Sequence, residues 1–291
     1  MASNASNASN SGSSSGAGSA ANSTSVSDGW FFADRIDLPF VTEVTSAGVP
    51  IATERLAPPV FPDRNWSADW FAWRVLVDFV QTKWTTVITL LDWTKMPNFT
   101  SVADEIDNLV TAAQDERADA LDEILSQADE FISYFLNLMA AKPTSYPATT
   151  RVLNAACLVG LFVAMNWKAQ FNRPRASQLC PALLPPIAVP GHASYPSGHS
   201  TQAHLMALCM GQVFALLPPA QQPLMQPIQA DLWVLADRIA RNREIAGLHY
   251  PSDTAAGIVL ANQILPLLSG MAATSAYQTA IANAVTEWTW P

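Results

Sequence analysis

From residue 65 onward, apolar positions recur at three- and four-residue intervals, the period of helices that bury one face. Ser67 stands where a helix would start. Trp70, Trp73, Val77, Val80 and Trp84 share one face of a helix expected to run to about Leu91. Residues 104–109 and 118–139 read as acidic amphipathic helices, the second with Leu121, Ile124, Leu125, Ala128, Ile132 and Phe135 on its apolar side. Pro143 and Pro147 break the pattern over 142–149. Further helices are expected over 150–170, 198–217, 223–245 and 252–271, with a short one near the C-terminus. Strand patterning is nearly absent after residue 65 and no internal repeat occurs. The expected fold is therefore all-α, a helical bundle over residues 66–291. The Pro-rich stretch 173–196 joins two of its core helices, and connections that long often carry function.

The first 65 residues look different. Residues 1–28 are Ser, Asn, Gly and Ala with almost nothing to bury, and a disordered tail is expected there, natural or an added leader. No Lys or Arg precedes Arg35 and no apolar run occurs, so no secretory signal is expected. Residues 29–65 read as an irregular segment, broken by five prolines and packing on the helical domain.

Composition narrows the function classes. Hydrophobic residues make up 49% of the chain and charged ones only 13%, enough for a large core. The net charge of −9 opposes non-specific nucleic-acid binding, so no nucleic-acid partner is expected. An acidic protein that binds an anion must gather its few cations locally. Cys157, Cys180 and Cys209 form no C-x-x-C pair, so neither a metal site nor a disulfide framework is expected. Residues 152–167, 204–217 and 255–271 are apolar enough to raise the question of membrane spans. Each is short or carries Asn or Gln, so a soluble bundle is favoured over spanning helices. Nothing in the pattern specifies an oligomer.

Three segments hold the candidate chemistry. In Pro196-Ser197-Gly198-His199, Ser197 and Gly198 open an apolar helix. Free N–H groups there, the helix dipole and the Ser197 hydroxyl favour an anion, and Gly198 permits its close approach. His199 would project beside the bound group. In Arg243-Glu-Ile-Ala-Gly-Leu-His249-Tyr-Pro-Ser-Asp253, Asp253 is placed to accept a hydrogen bond from one His249 nitrogen. The other nitrogen is then left as a nucleophile. Arg243 could reach the same pocket with its planar fork. In Lys168-Ala-Gln-Phe-Asn-Arg173-Pro-Arg175, Lys168 and Arg175 lie seven apart, on one side of a helical chain.

Taken in order, these segments resemble the three-part signature of the type 2 phosphatidic acid phosphatase and vanadium-dependent haloperoxidase superfamily. The resemblance runs over residues 168–253. It implies an all-α fold in which Lys168, Arg175, Ser197, Gly198 and Arg243 bind phosphate or vanadate. It further implies His249 as nucleophile or vanadate ligand, Asp253 as its orienter and His199 as acid–base group. Two departures stand out. Arg175 has the family's distance from Lys168 but is followed by Ala176, whereas Arg173-Pro174 has the dipeptide at the wrong distance; spacing selects Arg175. Asn242 stands where the third motif usually has Ser, a position that is not a primary ligand.

The same cage serves two reactions. A phosphatase would form a phosphohistidine on a small-molecule phosphoester and needs no cofactor or metal. A haloperoxidase would hold vanadate on His249 and oxidise halide with peroxide. His192 resembles a histidine that algal bromoperoxidases carry seven residues before His199, where it could tune halide or peroxide. Chain length favours the phosphatase. A non-catalytic anion-binding helical protein is the third reading, against which the intact nucleophile, acid and clamp residues speak.

Overall fold

The computed structural model describes residues 60–290. The expectations for residues 1–28 and for most of 29–65 fall outside the described residues. The chain divides into Met1–Pro62 and Asp63–Pro291, and every helix below lies in the second unit. Among the described residues there are α-helices and short 3-10 turns but no strands, as the apolar periodicity implies.

The first helix, α1 (Ala68–Val80), stops well before Leu91, and α2 (Trp84–Val87) is separate. The polar run Gln81-Thr82-Lys83 intervenes, with Gln81 N–H closing back on the Asp78 and Phe79 carbonyls. The expected buried face is also reversed. Phe71, Ala72, Val75, Leu76 and Phe79 face the core, while Trp70, Trp73, Val77 and Val80 are exposed. This helix is apolar on both sides, so periodicity alone could not choose between them.

Next come α3 (Val102–Asp115), capped by the Ser101 hydroxyl, and α4 (Arg117–Ser126). The helix expected over 118–139 is interrupted after α4 and resumes as α5 (Ile132–Leu138). Leu121 and Leu125 are exposed, whereas Ile124, Gln127 and Phe135 are buried.

The core is built by α6 (Pro147–Phe171), α8 (Gly198–Ala215), α9 (Gln222–Ile245), α10 (Pro251–Ser269) and α11 (Ala276–Trp288). Pro147 starts α6 rather than breaking it, since proline suits the first helical turn. Between α6 and α8 the Pro-rich loop holds only α7 (Ala176–Leu179) and one 3-10 turn. Helix α8 is buried along nearly its whole length and packs on α6, α9, α10 and α11. The three cysteines are unpaired thiols, with Cys209 buried and the other two half-buried.

The approach of α8 to α10 is close. A Cβ on Gly257 would lie 2.7 Å from the Ser200 Cβ and 2.9 Å from the Ser197 carbonyl oxygen. Ser200 also donates its hydroxyl to the Thr254 carbonyl at 2.8 Å. Neither neighbour is a flexible side-chain tip, so Gly257→Ala must push the helices apart. We expect it to cost about 1–3 kcal/mol, read as a lower urea midpoint at unchanged slope. A midpoint equal to that of the parent would show that the α8–α10 packing yields freely.

Candidate active site

Helix α6 carries Lys168 in its last turn and ends on Asn172, whose left-handed backbone (φ 49°) returns its N–H to the Lys168 carbonyl. The chain then runs extended through Arg173 and Arg175 before α7, whose Gln178 accepts the Arg175 N–H. Ser197 caps α8 by accepting the Ser200 N–H at 3.3 Å, which leaves its own proton free to donate. Its N–H bonds the Asp253 carbonyl, tying the start of α8 to α10.

Helix α9 ends in a Schellman turn. Gly247 takes φ 76°, its N–H reaches the Glu244 carbonyl, and the Leu248 N–H reaches the Arg243 carbonyl. This turn sets Arg243, on the last helical turn, next to the segment that carries His249. Pro251 then opens α10, and Asp253 accepts the Tyr250 N–H at 3.1 Å. His249 thus sits in the joint between two helices, four residues before Asp253.

The resulting geometry brings the candidate residues together. His249 donates from Nδ1 to Asp253 Oδ2 at 3.0 Å. Its Nε2 faces an Arg175 terminal nitrogen at 3.5 Å. Arg175 also donates to the Leu248 and His192 carbonyls and, at 3.1 Å, to His192 Nδ1. Lys168 donates to the Ala193 and Ser194 carbonyls. Arg243 donates to the Ile124 carbonyl, and its Nε is buried with no hydrogen-bond partner among the described residues. Burial lowers both Arg175 and Arg243 to about 10.

Lys168, Arg175 and Arg243 are 1–2% exposed, and none of them forms an ion pair among the described residues. Arg173 is equally buried but is paired twice, with Glu105 at 2.6 Å and Asp253 at 2.7 Å. The arginine beside His249 is Arg175, and Arg173 stands behind Asp253.

Several neighbours had no visible signal in the sequence. Ser194 donates to Asp253 Oδ2 and lies 3.4 Å from His249 Nδ1. The Gln127 carbonyl lies 3.0 Å from His199 Nε2, and the Phe131 ring packs on the His199 imidazole at 4.9 Å. Asn242 binds Glu123 and Gln127, so this position anchors the end of α4. The break in the expected 118–139 helix therefore occurs where the chain turns toward His199.

Residues 148–276 match the family model described as the PAP2 superfamily. All the candidate residues from Lys168 to Asp253 lie inside the match. The chain is also similar to the decaprenylphosphoryl-5-phosphoribose phosphatase of Mycobacterium tuberculosis, in strains CDC 1551 / Oshkosh and ATCC 25618 / H37Rv. Identity is 31% over 109 residues, covering 38% of this chain and 53% of that protein. The chain thus spans about half the length of the curated relatives it matches. Among solved structures it is similar to a transmembrane PAP2 type phosphatidylglycerolphosphate phosphatase from Bacillus subtilis. The TM-score is 0.44 at 14% identity, over 70% of this chain and 94% of that one.

The expected soluble location is corrected. The stretch Pro147–Leu179 contains a window long and apolar enough to cross a membrane, 67% of it buried against the rest of the protein. The sequence reading stopped this run at 152–167, but α6 begins at Pro147 and continues to Phe171. Trp70, Trp73, Val77 and Val80 add an exposed apolar face on α1.

Burial sets the histidine electrostatics. Burial, then Lys168 and Arg175, holds His249 well below the usual imidazole value. Burial and then Arg243 lower His199 to about 3, and burial and then Lys168 lower His192 to about 4. Unfolded imidazoles titrate near pH ~6.5, so the unfolded chain binds more protons than the folded one below that value. The histidine contribution is fully present above pH ~6.5 and is lost as pH falls toward the folded values. We expect urea midpoints to drop steadily between about pH 6.5 and about pH 4. Midpoints that stay level would mean that the imidazoles titrate alike in both states.

Proposed function

We propose that this protein hydrolyses a phosphate ester through a phosphohistidine formed on His249. The observation that carries the reading is a set of three deeply buried cations, none with a carboxylate partner among the described residues, with Lys168 and Arg175 acting on a histidine whose Nδ1 is held by Asp253 and Arg243 bonded through its backbone to the same segment. Carbonyl oxygens accept from all three of those cations but do not cancel their charge, so a tetrahedral dianion is the complementary ligand.

In the proposed reaction the His249 Nε2 lone pair attacks phosphorus and the bond to the ester oxygen breaks. Asp253 stabilises the imidazolium that forms, and Lys168, Arg175 and Arg243 hold the non-bridging oxygens with Ser197 and the Gly198 amide. His199 gives its proton to the leaving oxygen. Water then attacks phosphorus, His199 takes the water proton, the P–N bond breaks and phosphate leaves. His199 is neutral without an anion, since burial and Arg243 depress it. A bound dianion favours its protonated form, so substrate itself arms the acid.

A cleft of about 550 Å³ lined by Arg173, Arg175, Gln178, Pro190 and His192 offers an approach to Arg175 for an ester chain. The curated relative is a phosphatase, which supports ester hydrolysis over halide oxidation. His192 acts in this reading on Arg175, to which its Nδ1 is bonded.

Hydrolysis of p-nitrophenyl phosphate and of a lipid phosphate by the full chain tests the activity. His249→Ala should lose on the order of a thousandfold or more in kcat. Rapid quenching of the parent with labelled substrate should trap an acid-labile, alkali-stable phosphoryl group that the variant lacks. His199→Ala should be slowed most on esters with poor leaving groups. An active His249→Ala protein would end the proposal.

A further inference from the structure

We infer that Glu105 and Arg173 are positioning residues for the reacting histidine, forming a buried chain Glu105–Arg173–Asp253–His249 that fixes which imidazole nitrogen faces phosphorus. The inference rests on the phosphatase reading above and adds to it a residue from α3, outside the family-matched stretch 148–276. Glu105 is 2% exposed, whereas the other carboxylates of α3, Asp104, Asp107 and Asp115, are exposed. Its Oε2 accepts from an Arg173 terminal nitrogen at 2.6 Å, and its Oε1 accepts the Ser252 N–H at 2.8 Å.

The other Arg173 terminal nitrogen donates to Asp253 Oδ1 and to the Ser252 hydroxyl, both at 2.7 Å. Its guanidinium lies 3.7 Å from the centre of the Tyr250 ring. The fork is therefore held in plane and direction by two carboxylates and one ring. With Oδ1 committed to Arg173, Asp253 can present only Oδ2 to His249. Oδ2 accepts from Nδ1, so the lone pair is kept on Nε2, beside Arg175.

The charge balance fits the task. Two carboxylates and one guanidinium leave one net negative charge behind His249, where phosphorylation creates an imidazolium. Isolated buried ion pairs rarely stabilise more than apolar residues of equal volume would. A task at the reacting histidine explains why this one is placed here.

The test uses the full chain with Glu105→Gln, which puts an amide N–H against Arg173, and with Arg173→Lys, which keeps the charge but not the fork. For both we expect kcat on p-nitrophenyl phosphate to fall roughly tenfold to a hundredfold, the size seen when supports behind a functional histidine are removed. KM and the Kd for orthovanadate should stay within about twofold, because the clamp residues are untouched. Nitrogen-15 NMR of His249 should change from one Nδ1–H tautomer to a mixture. Parental kcat with a single tautomer in either variant overturns the inference. So does weakened vanadate binding with the tautomer unchanged, which would place these residues in anion binding. A parent without esterase activity would sink the proposed function, while the tautomer readout still decides the chain.

Discussion

A carboxylate with no exposed surface, Asp253, is the constraint around which this end of the bundle is arranged. A buried charge is tolerable only when its lone pairs are taken, and Asp253 meets that demand from several directions. Oδ2 accepts from the Ser194 hydroxyl, His249 Nδ1 and the Tyr250 N–H, and Oδ1 accepts from Arg173. These donors come from the Pro-rich loop, from the segment after α6 and from the start of α10. Its backbone carbonyl accepts the Ser197 N–H, which brings in the start of α8 as well. Satisfying one carboxylate thus sets the relative placement of three of the candidate segments.

The cations sort by partner. Arg173 is neutralised by two carboxylates, whereas among the described residues Lys168, Arg175 and Arg243 meet neutral partners, the carbonyls of Ala193, Ser194, His192, Leu248 and Ile124 and the His192 ring. Dipoles satisfy N–H groups at little electrostatic cost to an incoming anion, because they leave the net charge in place. In a chain of net charge −9, that arrangement concentrates positive potential at one point while the surface stays acidic. The depressed histidines follow from it. Each imidazole is both desolvated and faced by fixed cations, so His249 is held neutral with one ring nitrogen unprotonated.

What the sequence made legible was what local rules control. Helix periodicity, the Ser197 cap and the four-residue step from His249 to Asp253 all act within a few residues. The family spacing pointed to Arg175 over Arg173, although the chain leaves α6 at Phe171 and runs extended through both arginines. Long-range partners were invisible. Glu105 is 68 residues from Arg173 and sits in a helix whose other charges are solvated. The break between α4 and α5 has no proline or glycine to announce it, and its cause is the engagement of Gln127 with His199 and Asn242. The face of α1 was misread for a different reason. With Trp and Val on one side and Phe, Leu and Val on the other, only the tertiary partners decide which is buried.

These long-range contacts share an origin. Glu105 behind Arg173, the Ile124 carbonyl on Arg243, and the Gln127 carbonyl with the Phe131 ring on His199 all come from residues 102–131. None of that segment belongs to the family-matched stretch 148–276. The matched helices therefore supply every candidate reacting and clamping group, while α3, α4 and the turn before α5 supply their surroundings. Those surroundings are not passive. His199 Nε2 lies 3.0 Å from the Gln127 carbonyl, and the buried Arg243 Nε has no hydrogen-bond partner among the described residues. On the phosphatase reading proposed above, a dianion that reached both groups would set charged partners in place of neutral ones at a desolvated position, where such an exchange counts most. Substrate charge is then the property to which this end of the bundle would respond.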